Sequence, residues 1–361
     1  MRSILGFVST AAATSASALG VEYRALTETC ALLDRSDRGK LALRGAEAVE
    51  FLNGQVTNDL ASLHPGEGCY AAFLTHKGKM LGDLRVLAVG VGEEDGATPP
   101  ELLLDTERVA LQGLFDMIRR FKVGYDLELS KRTLETSLLS LIGPESHAVA
   151  VRALAVEART EASTEGDGSG PALPDAEHAH LPGSIAGRAV RVIGTADPSG
   201  VDVLCAAADR EAVQEALVRA GARAVSEAAA EIVRVEQGRP RYGVDLDDTV
   251  IPQEAGLNER AVSFTKGCYV GQETVARLHY RGRPNRHLRG LRLSGPTARG
   301  QELRLGERPV GRLGSVVLSP VLGPIALALV RREVEAGAIV NVGEDGVTAE
   351  VSALPFASEE R

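Results

Sequence analysis

One cysteine of this chain sits among groups that can change its chemistry. Cys268 lies in Phe264-Thr265-Lys266-Gly267-Cys268-Tyr269-Val270-Gly271-Gln272-Glu273. An ammonium close to a thiol, here that of Lys266, lowers its pKa, and bare backbone at Gly267 and Gly271 can offer N–H groups to a thiolate. Gln272 and Glu273 add an amide and a carboxylate. The local residues admit a reactive thiol, a metal-donating thiol, or a small half-buried residue in a tight turn. A Cys–His pair with His279 or His287 as base is a further arrangement, although no recognisable protease elbow surrounds the cysteine. A single thiolate does not hold an iron–sulfur cluster, which takes about four ligands.

The elements that must carry this loop follow from hydrophobic spacing. From Leu41 the pattern is strand, then helix: Lys40–Gly45 alternates, and Ala46–Leu60 has helical spacing. Cys69–Gly90 is two apolar runs around His76-Lys77-Gly78-Lys79, a β-hairpin with its glycine in the turn. Glu101–Thr106 is a strand, and Asp105 or Thr106 is placed to cap a helix over Glu107–Phe121. Val123–Ser130 is a strand. A similar order then repeats. Ser137–Gly143, Ala186–Gly194 and Gly200–Ala207 are strand-like, and Asp209 is placed to cap a helix that Gly221 stops. Two weakly similar halves suggest an internal duplication. Between them, Glu157–Ser184 is rich in Gly, Ser, Pro and acids and is expected to be a mobile surface insertion. His178 and His180 within it offer two metal donors without a third ligand, so no metal site is expected. After Pro284, short alternating strands joined by Gly and Pro turns predict an antiparallel barrel or sandwich.

Bulk properties narrow the function classes. The 361 residues call for two or three domains at about 100–200 residues each. Hydrophobic residues make up 44% and charged residues 25%, a globular balance; with aromatics at 4% and no Trp, Leu, Val and Ala must fill the cores. A net charge of −9 argues against general nucleic-acid binding, which rests on a cationic surface. No apolar run reaches the ~20 residues that span a bilayer, so no membrane role is expected. Residues 1–20 resemble a weak signal or transit peptide, but Ser and Thr break the apolar stretch, and a loosely packed N-terminus is the expectation. Cys30, Cys69, Cys205 and Cys268 are far apart and form no CxxC pair, which fits reduced thiols in a cytoplasm.

Val235–Leu257 (VEQGRPRYGVDLDDTVIPQEAGL), Gly54–Leu60 (GQVTNDL) and the hairpin together resemble the family of the glycine-cleavage T-protein. The motif Lys266-Gly267-Cys268-Tyr269-x-Gly271-Gln272-Glu273 is similar to one branch, the folate-binding YgfZ-like proteins. The likeness runs from about Tyr23 to the C-terminal strands. It implies an α+β fold, a three-domain ring with ferredoxin-like β/α halves and a C-terminal antiparallel β-barrel. The corresponding bounds are 21–282 for a folate-binding region of two interleaved α+β subdomains and 283–361 for the barrel. It also implies a central site for tetrahydrofolate or a one-carbon derivative, and a role with iron–sulfur enzymes, tRNA-modifying ones included, or with their assembly proteins.

The same resemblance assigns residues. The T-protein's pterin-binding acid sits on a G-V-E-I strand; Gly200-Val201-Asp202-Val203 matches, with Asp202 one methylene shorter. A carboxylate can accept the pterin amino group and ring N–H together. The arginine of its L-R-L-E-A-G segment matches Arg234, a planar fork expected on a short strand. Glu236 beside it either holds Arg234 or meets ligand. The catalytic G-G-x-x-D-D hairpin reads Gly78-Lys79-Met80-Leu81-Gly82-Asp83, so Asp83 alone remains of the two acids and Lys79 replaces a glycine. That departure weighs against aminomethyl transfer of the glycine-cleavage type, the alternative activity. Asn58 lines the pocket edge or caps a helix. The basic stretch from Arg277 to Arg292 is a site for a polyglutamate folate tail, an RNA backbone or an acidic partner, or a solvated linker.

Overall fold

The computed structural model describes residues 18–90, 100–161, 173–174, 176–196 and 198–356. Residues 1–17, and most of the Gly/Ser/Pro-rich stretch after 161, lie outside the described residues. A helix over 18–28, α1, leads into β1 (Ala31–Asp34). Then follow β2 (Gly39–Arg44), α2 (Ala48–Asn53), β3 (Gly68–Leu74), β4 (Met80–Gly90), β5 (Glu101–Thr106), α3 (Leu111–Phe121) and β6 (Glu128–Lys131). The same succession comes again as β7 (Thr136–Ile142), α4 (Ser146–Glu161), β8 (His180–Ile185), β9 (Arg188–Ala196), β10 (Ser199–Ala206), α5 (Arg210–Arg219) and β11 (Arg223–Ala224).

The sheets repeat this order in space. The first runs β3-β4-β5-β2-β6, and the second runs β8-β9-β10-β7-β1-β11. The second is the first with β1 inserted between the strands equivalent to β2 and β6, antiparallel to β7 and parallel to β11. Two halves therefore share one topology, and β1 ties the start of the chain into the half that comes later in sequence.

Each sheet buries one face under its own helices. Alternate residues of the first sheet, Leu41, Leu43, Phe73, Leu84, Val86 and Leu104, pack with Phe51, Leu52, Leu114 and Ile118 of α2 and α3. In the second, Leu139, Leu141, Val201, Val203 and Val192 pack with Val149 and Ala153 of α4 and Val213 and Leu217 of α5. Each such side chain contributes about 1.5–3 kcal/mol on burial. Side chains alternate across a strand, so the neighbours of these residues point to the opposite faces. Those neighbours include Asp83, Arg85, Asp105, Ser140 and Asp202, all buried.

Beyond β11 the chain forms α6 (Glu227–Glu236), α7 (Asn258–Ala261) and α8 (Gln272–Arg281). Six strands, β12 (Arg286–Leu293), β13 (Glu302–Leu305), β14 (Arg308–Ser319), β15 (Gly323–Arg331), β16 (Ile339–Val342) and β17 (Val347–Ser352), close into an antiparallel barrel.

Four expectations are corrected. Arg234 lies on helix α6, not on a strand; the run Glu227–Glu236 is capped by Ser226, whose hydroxyl accepts from Ala229 N. Asp105 and Thr106 cap no helix, because β5 continues through Thr106 and α3 begins only at Leu111. Asp209 precedes α5 without a side-chain cap. The segment 157–184 is not all surface loop: α4 runs to Glu161, and His180–Ile185 is the edge strand β8, paired with β9. Pro182 is tolerated in β8 because an edge strand does not need its missing N–H.

Candidate functional site

A cavity of about 390 Å³ is lined by residues of both sheets, α6 and the segments around 239–242 and 260. It brings Asp83, Asp202 and Arg234 to one hollow. Asp83 comes from the β3–β4 hairpin, Asp202 from β10 and Arg234 from α6.

A chain of charges crosses between the sheets. Arg85 on β4 donates through Nη1 to Asp202 Oδ2 and through Nη2 to Asp105 Oδ2, each at 2.6 Å. Arg38 Nε donates to Asp105 Oδ1 at 2.5 Å. Ser140 on β7 donates to Asp202 Oδ1 at 2.6 Å. Burial alone pushes the Asp105 carboxyl up, but the guanidinium groups of Arg38 and Arg85 prevail and hold it down at about 2. These pairs offset each other's desolvation and fix the two sheets in register.

Asp83 has a different environment. It is buried, and Tyr70 Oη donates to its Oδ2 at 2.7 Å. Burial raises its pKa from 3.8 to about 6, against the lowering effect of the Tyr70 hydrogen bond and of Arg38 and Arg260. A carboxylate poised there can take up or give a proton near neutrality. Arg260 lies over the Tyr70 ring at 4.6 Å and pairs with Glu177. A second carboxylate beside Asp83 has no room. A Cβ on Gly82 would stand 2.6 Å from the Phe73 ring and 2.7 Å from Ala110 Cβ.

The Arg234 fork is fully engaged within the protein. It donates to Glu231 from Nε and Nη2, to the Arg239 carbonyl and Asp245 from Nη1, and to Ser315 of β14 from Nη2. Its five N–H groups are thus accounted for. Arg234 forms the wall of the hollow and anchors the barrel to it. Glu236 holds neither Arg234 nor the cavity wall: it accepts from Tyr23 Oη at 3.0 Å and from Ser319 Oγ at 2.5 Å, joining α1 to the barrel. Asn58 caps no helix with its side chain; Nδ2 donates to the carbonyls of Tyr70, at 2.9 Å, and Arg260, at 3.3 Å, behind the cavity lining.

The cysteine loop docks on the same scaffold from another side. Lys266 Nζ donates to the carbonyls of Asn53, of Val56 at 3.0 Å and of Asn58 at 2.7 Å. Its ammonium is committed to carbonyls, and burial lowers its pKa to about 8. Tyr269 is buried beneath the loop beside Val275 and Leu74. Gly271 adopts φ +84° at the start of α8, and a Cβ there would meet Thr75 O at 2.5 Å and Gly78 Cα at 3.1 Å. This glycine lets the motif pack directly on the turn of the β3–β4 hairpin. Gln272 and Glu273 begin α8. Gly267 and Cys268 face outward, and Cys268 is a free, exposed thiol that does not line the cavity. Among the described residues no cluster of three or more His, Cys, Asp or Glu is arranged to hold a metal ion.

Residues that spacing alone did not assign to the cavity are Tyr70, Arg85, Asp105, Arg260 and His178. The signal for one of them, Arg85, was available: Asp83-x-Arg85 alternates with Leu84 and Val86 on a strand whose apolar partners are core. A charge pair on the other face of such a strand marks a second buried surface.

Comparison with known proteins bears on the arrangement as a whole. A family model described as the GCVT N-terminal domain matches residues 7–266. The chain is 29% identical over 343 residues to an aminomethyltransferase of Rubrobacter xylanophilus, covering 94% of this chain and 86% of that protein. It is also 29% identical over 342 residues to an aminomethyltransferase of Thermus thermophilus, covering 93% and 89%. The crystal structure of the glycine cleavage system aminomethyltransferase T from Bartonella henselae superposes with a TM-score of 0.78 at 22% identity. That match covers 94% of this chain and 90% of the other, and it shows the shared fold.

Proposed function

The chain belongs to the family of the GCVT N-terminal domain, and from that premise we propose that it binds a reduced folate in the cavity between its two sheets. In this reading it supports the assembly or repair of iron–sulfur enzymes, tRNA-modifying ones among them, as a YgfZ-like protein with Cys268 as functional thiol.

The observation that carries the folate reading is the meeting of Asp202 and Asp83 in one hollow of about 390 Å³. That volume falls within the roughly 300–1,000 Å³ of small-molecule sites. The residues fit a pterin. An ionised carboxylate accepts about four hydrogen bonds, and the bonds from Ser140 and Arg85 leave Asp202 capacity for an amino group and a ring N–H. Arg85 Nε and both ring nitrogens of His178 are buried polar atoms without partners, as expected of a surface that awaits a ligand. A reduced folate, when bound, supplies a carrier for one-carbon units. Asp83 would hold or receive a proton at Oδ beside it, and Tyr70 would orient that carboxylate.

The iron–sulfur role rests on the Lys266–Glu273 motif. Lys266, Tyr269 and Gly271 fix the loop while leaving the Cys268 sulfur outside, where a partner protein can reach it. The test is Cys268→Ala with two readouts. Folate affinity should stay as in wild type, and the activity of iron–sulfur enzymes in cells carrying the variant should fall. Unchanged iron–sulfur activity would remove this role.

The second reading is folate-dependent aminomethyl transfer. It is favoured by the near-neutral carboxyl of Asp83 and opposed by the lack of space for an acid at position 82. Turnover of a lipoyl-bound aminomethyl group with tetrahydrofolate separates the two.

A further inference from the structure

Several charged groups facing the cavity are paired inside the protein. Asp83 is held by Tyr70, Asp105 by Arg38 and Arg85, and Arg260 by Glu177. Besides Arg85 Nε, the buried atoms of the lining left without a partner belong to His178. Its relative exposure is 8%, it lines the cavity, and neither Nδ1 nor Nε2 has a hydrogen-bond partner. The nearest carboxylate oxygen, Glu177 Oε1, stands 3.6 Å from Nε2, outside hydrogen-bond range. Burial, reinforced by Arg85, lowers its pKa to about 4, so the ring is neutral.

The ring is also held in place. The His178 backbone N–H donates to Gly194 O at 2.8 Å, where the chain enters β8. Its ring stacks toward Tyr70, with centroids 6.5 Å apart and planes 29° from parallel. A neutral imidazole carries one donor and one acceptor on a rigid plane. Leaving such atoms buried and unpaired costs folding free energy, which a ligand or cavity water must offset.

We propose that the ring nitrogens of His178 are hydrogen-bonding positions for the ligand of the central cavity, a planar heterocycle with donor and acceptor atoms side by side. That this heterocycle is the pterin of a reduced folate rests on the reading above. His178 then sets specificity for the ring, while Tyr70 beside it forms a flat wall.

The experiment compares wild type, His178→Phe and His178→Asn by thermal unfolding and by calorimetric titration with tetrahydrofolate and with bare tetrahydropterin. Phe keeps a ring against Tyr70 and removes both nitrogens. Asn keeps a donor and an acceptor and tolerates the positive φ of 68° at this position. The expected result is that Asn leaves the ligand-free Tm unchanged, that Phe, which the positive φ disfavours, lowers it only slightly, and that Phe weakens both ligands about 10-fold or more, with Asn between Phe and wild type. Equal binding by wild type and the Phe variant overturns the inference. So does a fall of several degrees in the ligand-free Tm of both variants, since that marks a structural histidine. If wild type binds tetrahydropterin but not tetrahydrofolate, the folate reading falls, and a weakened His178→Phe still supports the ring contact. Binding of neither compound by wild type overturns both.

Discussion

Arg85 and Asp202 meet at 2.6 Å across the seam between the two sheets, one residue from β4 and the other from β10. Because Arg85 also holds Asp105, one guanidinium neutralises acids on both halves. The pterin-binding candidate of one half is thereby tied to the hairpin of the other half that carries Asp83.

Removing that guanidinium while keeping its stem should destabilise the protein strongly. Arg85→Met leaves two buried carboxylates without their shared partner, at a cost of about 3–5 kcal/mol. Urea unfolding of the variant against wild type measures it, and a loss below about 1 kcal/mol would mean that the bridge is dispensable.

The Asp83 carboxyl predicts a pH dependence with a definite sign. Its pKa is raised in the fold from 3.8 to about 6, so the folded state binds more protons than the unfolded chain between those values. Its stabilising contribution is present below about pH 4 and is lost as pH rises through about 6. The loss is at most about 3 kcal/mol. Asp83→Asn keeps an acceptor for Tyr70 and removes the titration. Stability curves of the two proteins from pH 4 to 7 should diverge, with wild type losing ground as pH rises.

Lys266 is expected to act on the loop rather than on the thiol. Lys266→Met deprives the carbonyls of Asn53, Val56 and Asn58 of their shared donor and should cost about 1–3 kcal/mol. Hydrogen exchange across residues 266–271 should speed up. Unchanged protection there would mean that other contacts fix the loop.

Glu236 offers a control away from the cavity. Glu236→Gln weakens the link from Tyr23 to Ser319 and should cost about 1 kcal/mol. Folate affinity, measured by titration, should not change. A large loss of affinity would place Glu236 in the binding machinery.

What the sequence allowed to be read depended on whether local spacing or long-range pairing decided the outcome. The β3–β4 hairpin and the barrel strands follow from alternation and turn glycines, which are local. So does a coarse repeat of strands and helices, although α4 and β8 of the second half were not legible, and β1 joins the second sheet only through pairing across more than a hundred residues. Asp105 looked like a helix cap because strand end and helix start are adjacent in the chain; its charge is instead matched by Arg38 and Arg85. Arg234 sits in a Val-rich run that favours a strand, but the Ser226 cap and packing of Ala229, Ala230 and Val233 on α1 make it helical. His178 fell in a stretch whose composition reads as loop, so its burial beside Tyr70 had no local signal. The motif around Cys268 marked a fixed loop, but not which way its sulfur faces.

The central claim is that the hollow between the sheets holds a reduced folate through Asp202. Calorimetric titration of tetrahydrofolate into wild type and Asp202→Asn tests it most directly. The account predicts saturable binding by wild type and an affinity at least about 10-fold weaker, about 1.4 kcal/mol, in the variant. Absence of binding by wild type, or equal affinity in the two proteins, would contradict it.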